Sequence, residues 1–362
     1  MNAAASPVPA PSFPTRFALG AALVAVASAA LALALKEAQA RTAIAAGGLV
    51  ACALLALHPG VLRWLRARSP RSLGWIAAGV ALWTVVLPAE RFDPYMLAIV
   101  LTAVLACVHA CVPLGGRLTA VAVVVWLCLW LPLDLRWYGW QSRSSPGFFL
   151  ASEQGYACWA LATACLGVLA FGAAGRFDLG IQRASLKAPL LGLAIGLGFG
   201  AIAIPVGMAT GFLSLKDADP PAASAPATPG AESPAAEDPA TPGAEPSAFS
   251  ARTLRAAGLQ LLTFCLIALT IAFPEELFFR GVLDRGLELR WKRPWLALLV
   301  SSFLFGLMHW NNRKDLADQI TYLGLASLAG IAYGLAFRKG GLLSAIFLHA
   351  LVDWVWQLAF SK

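Results

Sequence analysis

The chain is predicted to be an all-α, polytopic transmembrane helical bundle of about eleven spans, and three observations carry that expectation. Of its residues 59% are hydrophobic and only 13% are charged, whereas a soluble domain carries roughly 25% charge. Apolar runs of about 16–22 residues recur from end to end, close to the roughly 20 that cross a bilayer as a helix. A backbone in lipid must satisfy its own hydrogen bonds, so such runs are read as helices.

Taken in order, the spans are expected at 17–35, 42–58, 73–88, 95–113, 118–132, 156–174, 189–213, 254–273, 295–310, 319–337 and 342–360. The first is long for a signal sequence, and no convincing cleavage site follows Lys36, Glu37 and Ala38, so it is read as a retained span. His58 precedes Pro59 at a helix end and His109 lies deep in the fourth span; a lone histidine in either place is more often satisfied by a neighbouring backbone group than used in chemistry. Trp126, Trp130, Trp137 and Trp140 cluster where the fifth span ends, as an interfacial aromatic belt would. Gly192, Gly196 and Gly200 form a small-residue stripe on which another helix can approach closely. The seven cysteines all fall inside apolar runs without CxxC spacing and are expected to be buried packing residues.

Charge sets the orientation. The net charge is +8, much of it in the loops 62–72 and 284–294. In a membrane protein this reports sidedness, and no aromatic-basic platform points to nucleic acid. The span count puts loops 62–72 and 280–293 on one side with Arg176, Arg183, Lys187, Arg338 and Lys339. The positive-inside rule makes that side cytoplasmic, together with the N-terminus, in a multi-pass protein of the cell inner (plasma) membrane. Residues 214–250 interrupt the pattern. They are rich in Pro and Ala, repeat TPGAE, and from 217 onward carry six acidic residues and no basic one. Such a stretch cannot bury a core and is expected to be a disordered linker. It divides the chain into an N-terminal membrane domain of about seven spans (1–213) and a C-terminal domain of four (251–362).

Chemistry concentrates in the C-terminal domain. In AFPEELFFRG, Glu276 and Arg280 are four residues apart and share a helix face, so they can pair. Glu275 turns about 100° away from that face, and an intramembrane carboxylate outside such a pair is a functional candidate. FGLMHW places Phe305 and His309 at the same spacing near the end of another span. LHALVDW does so for His349 and Asp353 in the last span. Three packed helices could aim Glu275, His309, His349 and Asp353 at one cavity. The competing structural reading is a headgroup charge cluster, an interfacial histidine and a hydrogen-bonded pair.

These fragments read as EExxxR, FxxxH and HxxxN/D, in that order. Over roughly residues 250–360 they resemble the CPBP family of intramembrane proteases, which includes the Rce1-like type II CAAX-processing endopeptidases and the bacterial bacteriocin-processing and immunity proteins. The resemblance implies a C-terminal CPBP-type protease core in which a glutamate-activated water hydrolyses a peptide bond. By the resemblance, Glu275 is the general base, His309 holds and polarises the water, and His349 with Asp353 stabilises the oxyanion. Arg280 pairs with Glu276, and Phe305 packs or faces substrate. An ionised Asp353 would repel an oxyanion, so its better role is to orient or charge His349, or to act in its protonated form.

No cofactor is expected. A zinc reading would use Glu275, His309 and His349, although no HExxH motif occurs. The partners implied are the lipid bilayer and a membrane-protein substrate with a C-terminal hydrophobic segment, with no nucleic acid. A myxosortase-like branch, which processes C-terminal sorting signals, fits the varied N-terminal domain and the composition. The alternative from another class is a non-catalytic immunity protein or membrane scaffold retaining the motif; a transporter would need an inverted repeat, and none is apparent. Because loop 280–293 is read as cytoplasmic, the glutamates are expected toward the inner leaflet.

Overall fold

The computed structural model describes residues 14–32, 37–86, 116, 118–134, 153–182, 185–215, 246–310 and 315–361. The architecture over these residues is all-α apart from a two-residue pairing of Ser214–Leu215 with Phe360–Ser361. The helices are α1 (Thr15–Ala32), α2 (Glu37–Ala56), α3 (Pro59–Arg66), α4 (Pro70–Val86) and α5 (Ala120–Asp134). Next come α6 (Glu153–Gly167, prolonged by the π-helix Val168–Ala174) and α7 (Lys187–Ala209). The long α8 begins as Pro246–Ile267. It continues unbroken through a π-helical turn (Ala268–Ala272), an α-helical turn (Phe273–Glu276), a second π-helix (Leu277–Asp284) and a last α-helical stretch (Arg285–Trp291). Then follow α9 (Pro294–Met308) and α10 (Leu316–Ala359).

Four of these helices are long and apolar enough to cross a membrane among the described residues, five if the bent pair α2–α3 counts as one span. The count of eleven is therefore not reproduced. The candidate at 95–113 lies outside the described residues, as does His109. Those at 118–132 and 295–310 are the shorter apolar helices α5 and α9. Those at 319–337 and 342–360 are the two arms of α10, which meet at Gly341. The span at 254–273 does not stop before the acidic motif; the helix runs through it to Trp291.

Local sequence explains the joints. His58 caps α3, its Nδ1 accepting the Gly60 N–H at 3.1 Å, and Pro59 fills a first-turn position where no amide hydrogen is needed. Residues 59–66, expected to belong largely to a basic loop, are thus a helix, bent 83° from α2. Arg66 is not a loop charge: its guanidinium donates to the carbonyls of Gly172 (2.8 Å) and Phe177 (2.7 Å), which lie where the π-helix of α6 ends. Gly341 has φ 76° and ψ −171°, a conformation essentially reserved for glycine, and the Leu342 N–H donates to the Gly180 carbonyl at 2.9 Å. The break in α10 is therefore a docking point on the segment after α6. Gly192 and Gly196 do lie against α10, near Ser344 and Leu348, whereas Gly200 meets only Ile204 of its own helix.

One buried cluster draws on α2 through α6, on Phe177 and Leu179, and on α8 through α10. It crosses the sequence position of the linker, of which 216–245 lie outside the described residues. Trp126 and Trp130 belong to this core rather than to an interfacial belt. Trp130 is 3% exposed, and its ring packs on Phe279 at 5.2 Å and Phe278 at 5.6 Å. The Trp126 indole donates to the Phe278 carbonyl at 3.1 Å. Trp137 and Trp140 lie outside the described residues. The cysteine expectation holds for Cys158 and Cys165, which are buried; Cys265 instead lies on the outer face of α8, where lipid rather than protein would cover it.

Replacing Gly341 by alanine should lower the thermal unfolding temperature in detergent. An added Cβ would meet the Gly180 carbonyl oxygen at 2.5 Å, and the backbone conformation alone costs an L-residue roughly 1–3 kcal/mol. A parent-like melt would show that α10 does not dock there.

Candidate active site

The site is assembled where α8, α9 and α10 meet, and its foundation is an ion pair. Glu276 and Arg280 are both fully buried, with Arg280 Nε donating to Glu276 Oε2 at 3.2 Å. A buried guanidinium needs further acceptors, and Arg280 Nη1 lies 3.3 Å from the Ser301 hydroxyl of α9. Ser301 in turn donates to the Leu298 carbonyl at 3.1 Å. The Phe305 ring lies under the guanidinium at 5.2 Å, a cation–π geometry. On the α10 side Gly330 makes room, since a Cβ there would sit 3.1 Å from Arg280 Nη2.

The second oxygen of Glu276 reaches the last helix. His349 Nδ1–H donates to Glu276 Oε1 at 2.8 Å. That bond fixes the ring and turns Nε2 toward two more carboxylates, Glu275 at 3.7 Å and Asp353 at 3.6 Å. The ring is clamped by Tyr333, stacked at 4.4 Å and 13°, and by Phe305, edge-on at 5.8 Å. Exposure of the side chains rises in order: Glu276 0%, His349 3%, Glu275 13% and Asp353 32%.

His309 follows the last turn of α9 and caps it. Its Nδ1–H donates to the Phe305 carbonyl at 2.8 Å, so in the neutral ring Nε2 is the acceptor. It packs on the Phe305 ring at 4.8 Å and on Tyr322 at 5.5 Å. Phe305 is 2% exposed and separates the two imidazoles as a packed spacer.

The structure thus brings Glu275, Glu276, Arg280, His349 and Asp353 into one connected cluster, with Phe305 at its centre and His309 at its edge. Two contributors were not anticipated. Ser301 is a buried hydroxyl in an apolar run, and such a group needs a partner; that was the available signal. Tyr333 stands mid-span in α10, and nothing in its sequence context points to a stacking role. Among the described residues no group of three or more His, Cys, Asp or Glu side chains is arranged to hold a metal ion.

Taken by itself, this is an acid–imidazole cluster walled by apolar helices, a set of groups that could carry acid–base chemistry. Residues 257–355 match the family described as type II CAAX prenyl endopeptidase Rce1-like. This part of the chain is therefore similar to the CPBP family of membrane proteases, and all three motifs fall within the match. Neither the curated proteins nor the solved structures searched gave a match.

Arg280→Ala should destabilise the protein by roughly 3–5 kcal/mol, because Glu276 would keep its burial and lose its cation. Ser301→Ala, which removes a neutral partner only, should cost about 1 kcal/mol or slightly more. Thermal or denaturant unfolding in detergent measures both; equal small effects would mean that the pair does not hold the site.

Proposed function

We propose that the chain is a glutamic-type intramembrane endopeptidase of the cell inner membrane, cutting near the C-terminal hydrophobic segment of membrane-anchored or sorted proteins. The observation that supports this best is the position of the His349 ring, with Nδ1 committed to Glu276 and Nε2 facing Glu275 and Asp353. In this reading a water lies between Glu275 and His309 and attacks the scissile carbonyl while Glu275 takes its proton. In this reading His349 carries a proton on Nδ1 and a second on Nε2. That N–H donates to the oxygen of the tetrahedral intermediate, a contribution of roughly 2.7–4 kcal/mol where comparable donors have been removed. Glu275 then passes its proton to the departing amine, so the proton taken from water leaves with the product. Asp353 holds the imidazolium in place and does not face the oxyanion itself. The Glu276–Arg280 pair supplies the buried anchor against which the ring is held.

Membranes from cells carrying the parent and Glu275→Ala test this directly. Anchored proteins whose C-terminal helix the parent removes should retain it in the variant, with cleavage reduced at least about 100-fold. An unchanged profile across all anchored proteins would favour a non-catalytic scaffold or immunity role. Asp353→Asn should keep most of the activity, because an amide can still accept from His349, whereas Asp353→Ala should lose most of it. If both match the parent, Asp353 has no part in the reaction. Chelators should leave the rate unchanged; loss of activity restored by zinc would replace the water-and-glutamate reading with a metal one.

A further inference from the structure

The basic residues gather at one end of the bundle. Arg338 Nη2 donates to Asp284 Oδ1 (2.8 Å) and to the Pro294 carbonyl (2.7 Å), joining the ends of α8, α9 and the first arm of α10. Arg285 lies 3.9 Å from Asp178, and Arg66 holds the neighbouring Phe177 carbonyl. Arg290, Lys292, Arg293 and Lys339 lie on the same ends of these helices, and Gly341 docks on Gly180 beside them. This is a rim, and it gives a height from which to measure.

The catalytic candidates stand far from it. From Gly341 the second arm of α10 climbs about 18 Å to Asp353, and from Pro294 α9 climbs about 22 Å to His309, at 1.5 Å per residue. By the same rise His349 stands about 12 Å from Gly341; half of a 30 Å hydrocarbon core is about 15 Å, so the cluster spans the midplane, with Asp353 and His309 beyond it. Glu275 is level with His349, 3.7 Å away, along the second arm of α10. On the rim side the cluster is sealed. Arg280, Ser301, Leu298, Ala336 and Leu342 are all fully buried. On the remote side exposure grows, through Glu275 at 13% to Asp353 at 32%. The remote end is also where Leu215 pairs with Phe360.

We infer that the site is entered from the face opposite the basic rim, and that the bond it cuts lies in the leaflet remote from that rim. This rests on the peptidase reading for the bond, and on geometry alone for the opening. With the rim cytoplasmic, the substrate is a membrane-anchored polypeptide cut on its exported side, with the anchor's apolar segment lying along the bundle.

Thiol labelling in sealed vesicles of the two orientations tests the opening. In a chain with its native cysteines replaced, Asp353→Cys and Glu275→Cys are compared with Lys339→Cys at the rim and Gln357→Cys at the remote end. The probe is a sulfonated maleimide that does not cross membranes. Asp353→Cys should be modified in the vesicle orientation that exposes Gln357→Cys, at least tenfold faster than in the one that exposes Lys339→Cys, with Glu275→Cys following more slowly. Modification from the rim side overturns the inference, and so does protection from both sides in a variant that elutes and melts as a folded protein. Labelling requires no turnover, so loss of the peptidase reading would leave a remote-face opening standing, and a rim-face result would leave the peptidase reading intact.

Discussion

A carboxylate and a guanidinium fully removed from solvent hold the rest of the site in place. Either charge left unpaired at that depth would carry a large desolvation cost, so each fixes the other. The geometry they settle into is communicated outward: to α9 through Ser301, and to the last helix through His349. Because Glu276 uses one oxygen for the cation and the other for the imidazole, the ring cannot rotate without breaking a buried ionic network. That rigidity leaves the opposite ring nitrogen facing Glu275 and Asp353.

How much of this could be read from the sequence follows from which distances are local. The Glu276–Arg280 pair is set by helix spacing within a single segment, and it forms as that spacing requires, although the second π-helix begins between the two residues. The same holds for His349 with Asp353 and for Phe305 with His309. The contact between Glu276 and His349 was not legible. It depends on how α8 and α10 are rotated against one another, and no spacing within either segment encodes that. Tyr333 was hidden for the same reason: an aromatic residue in an apolar span is ordinary until its neighbour is known.

The helical class was legible because lipid leaves a backbone few options, but the ends of the elements were not. Charge in 62–72 pointed to a loop, yet Val61, Leu62 and Leu65 give the stretch a buried face and His58 with Pro59 starts it as a helix. Glycine at 341 is what divides α10, and hydropathy alone reads the divide as an ordinary loop between two spans. Tryptophans near the end of an apolar run are commonly interfacial; here Trp126 and Trp130 turn inward because Phe278 and Phe279 offer them aromatic edges and a buried carbonyl acceptor.

That indole contact ties the two halves of the chain together. The carbonyl of Phe278 belongs to a widened turn whose own ladder is irregular, and the donor that meets it comes from α5, well outside the matched segment. The matched segment is therefore not packed by its own residues alone: part of its wall comes from α5. Excised at residue 257, it would present two phenylalanine rings and an unanswered backbone oxygen to hydrocarbon.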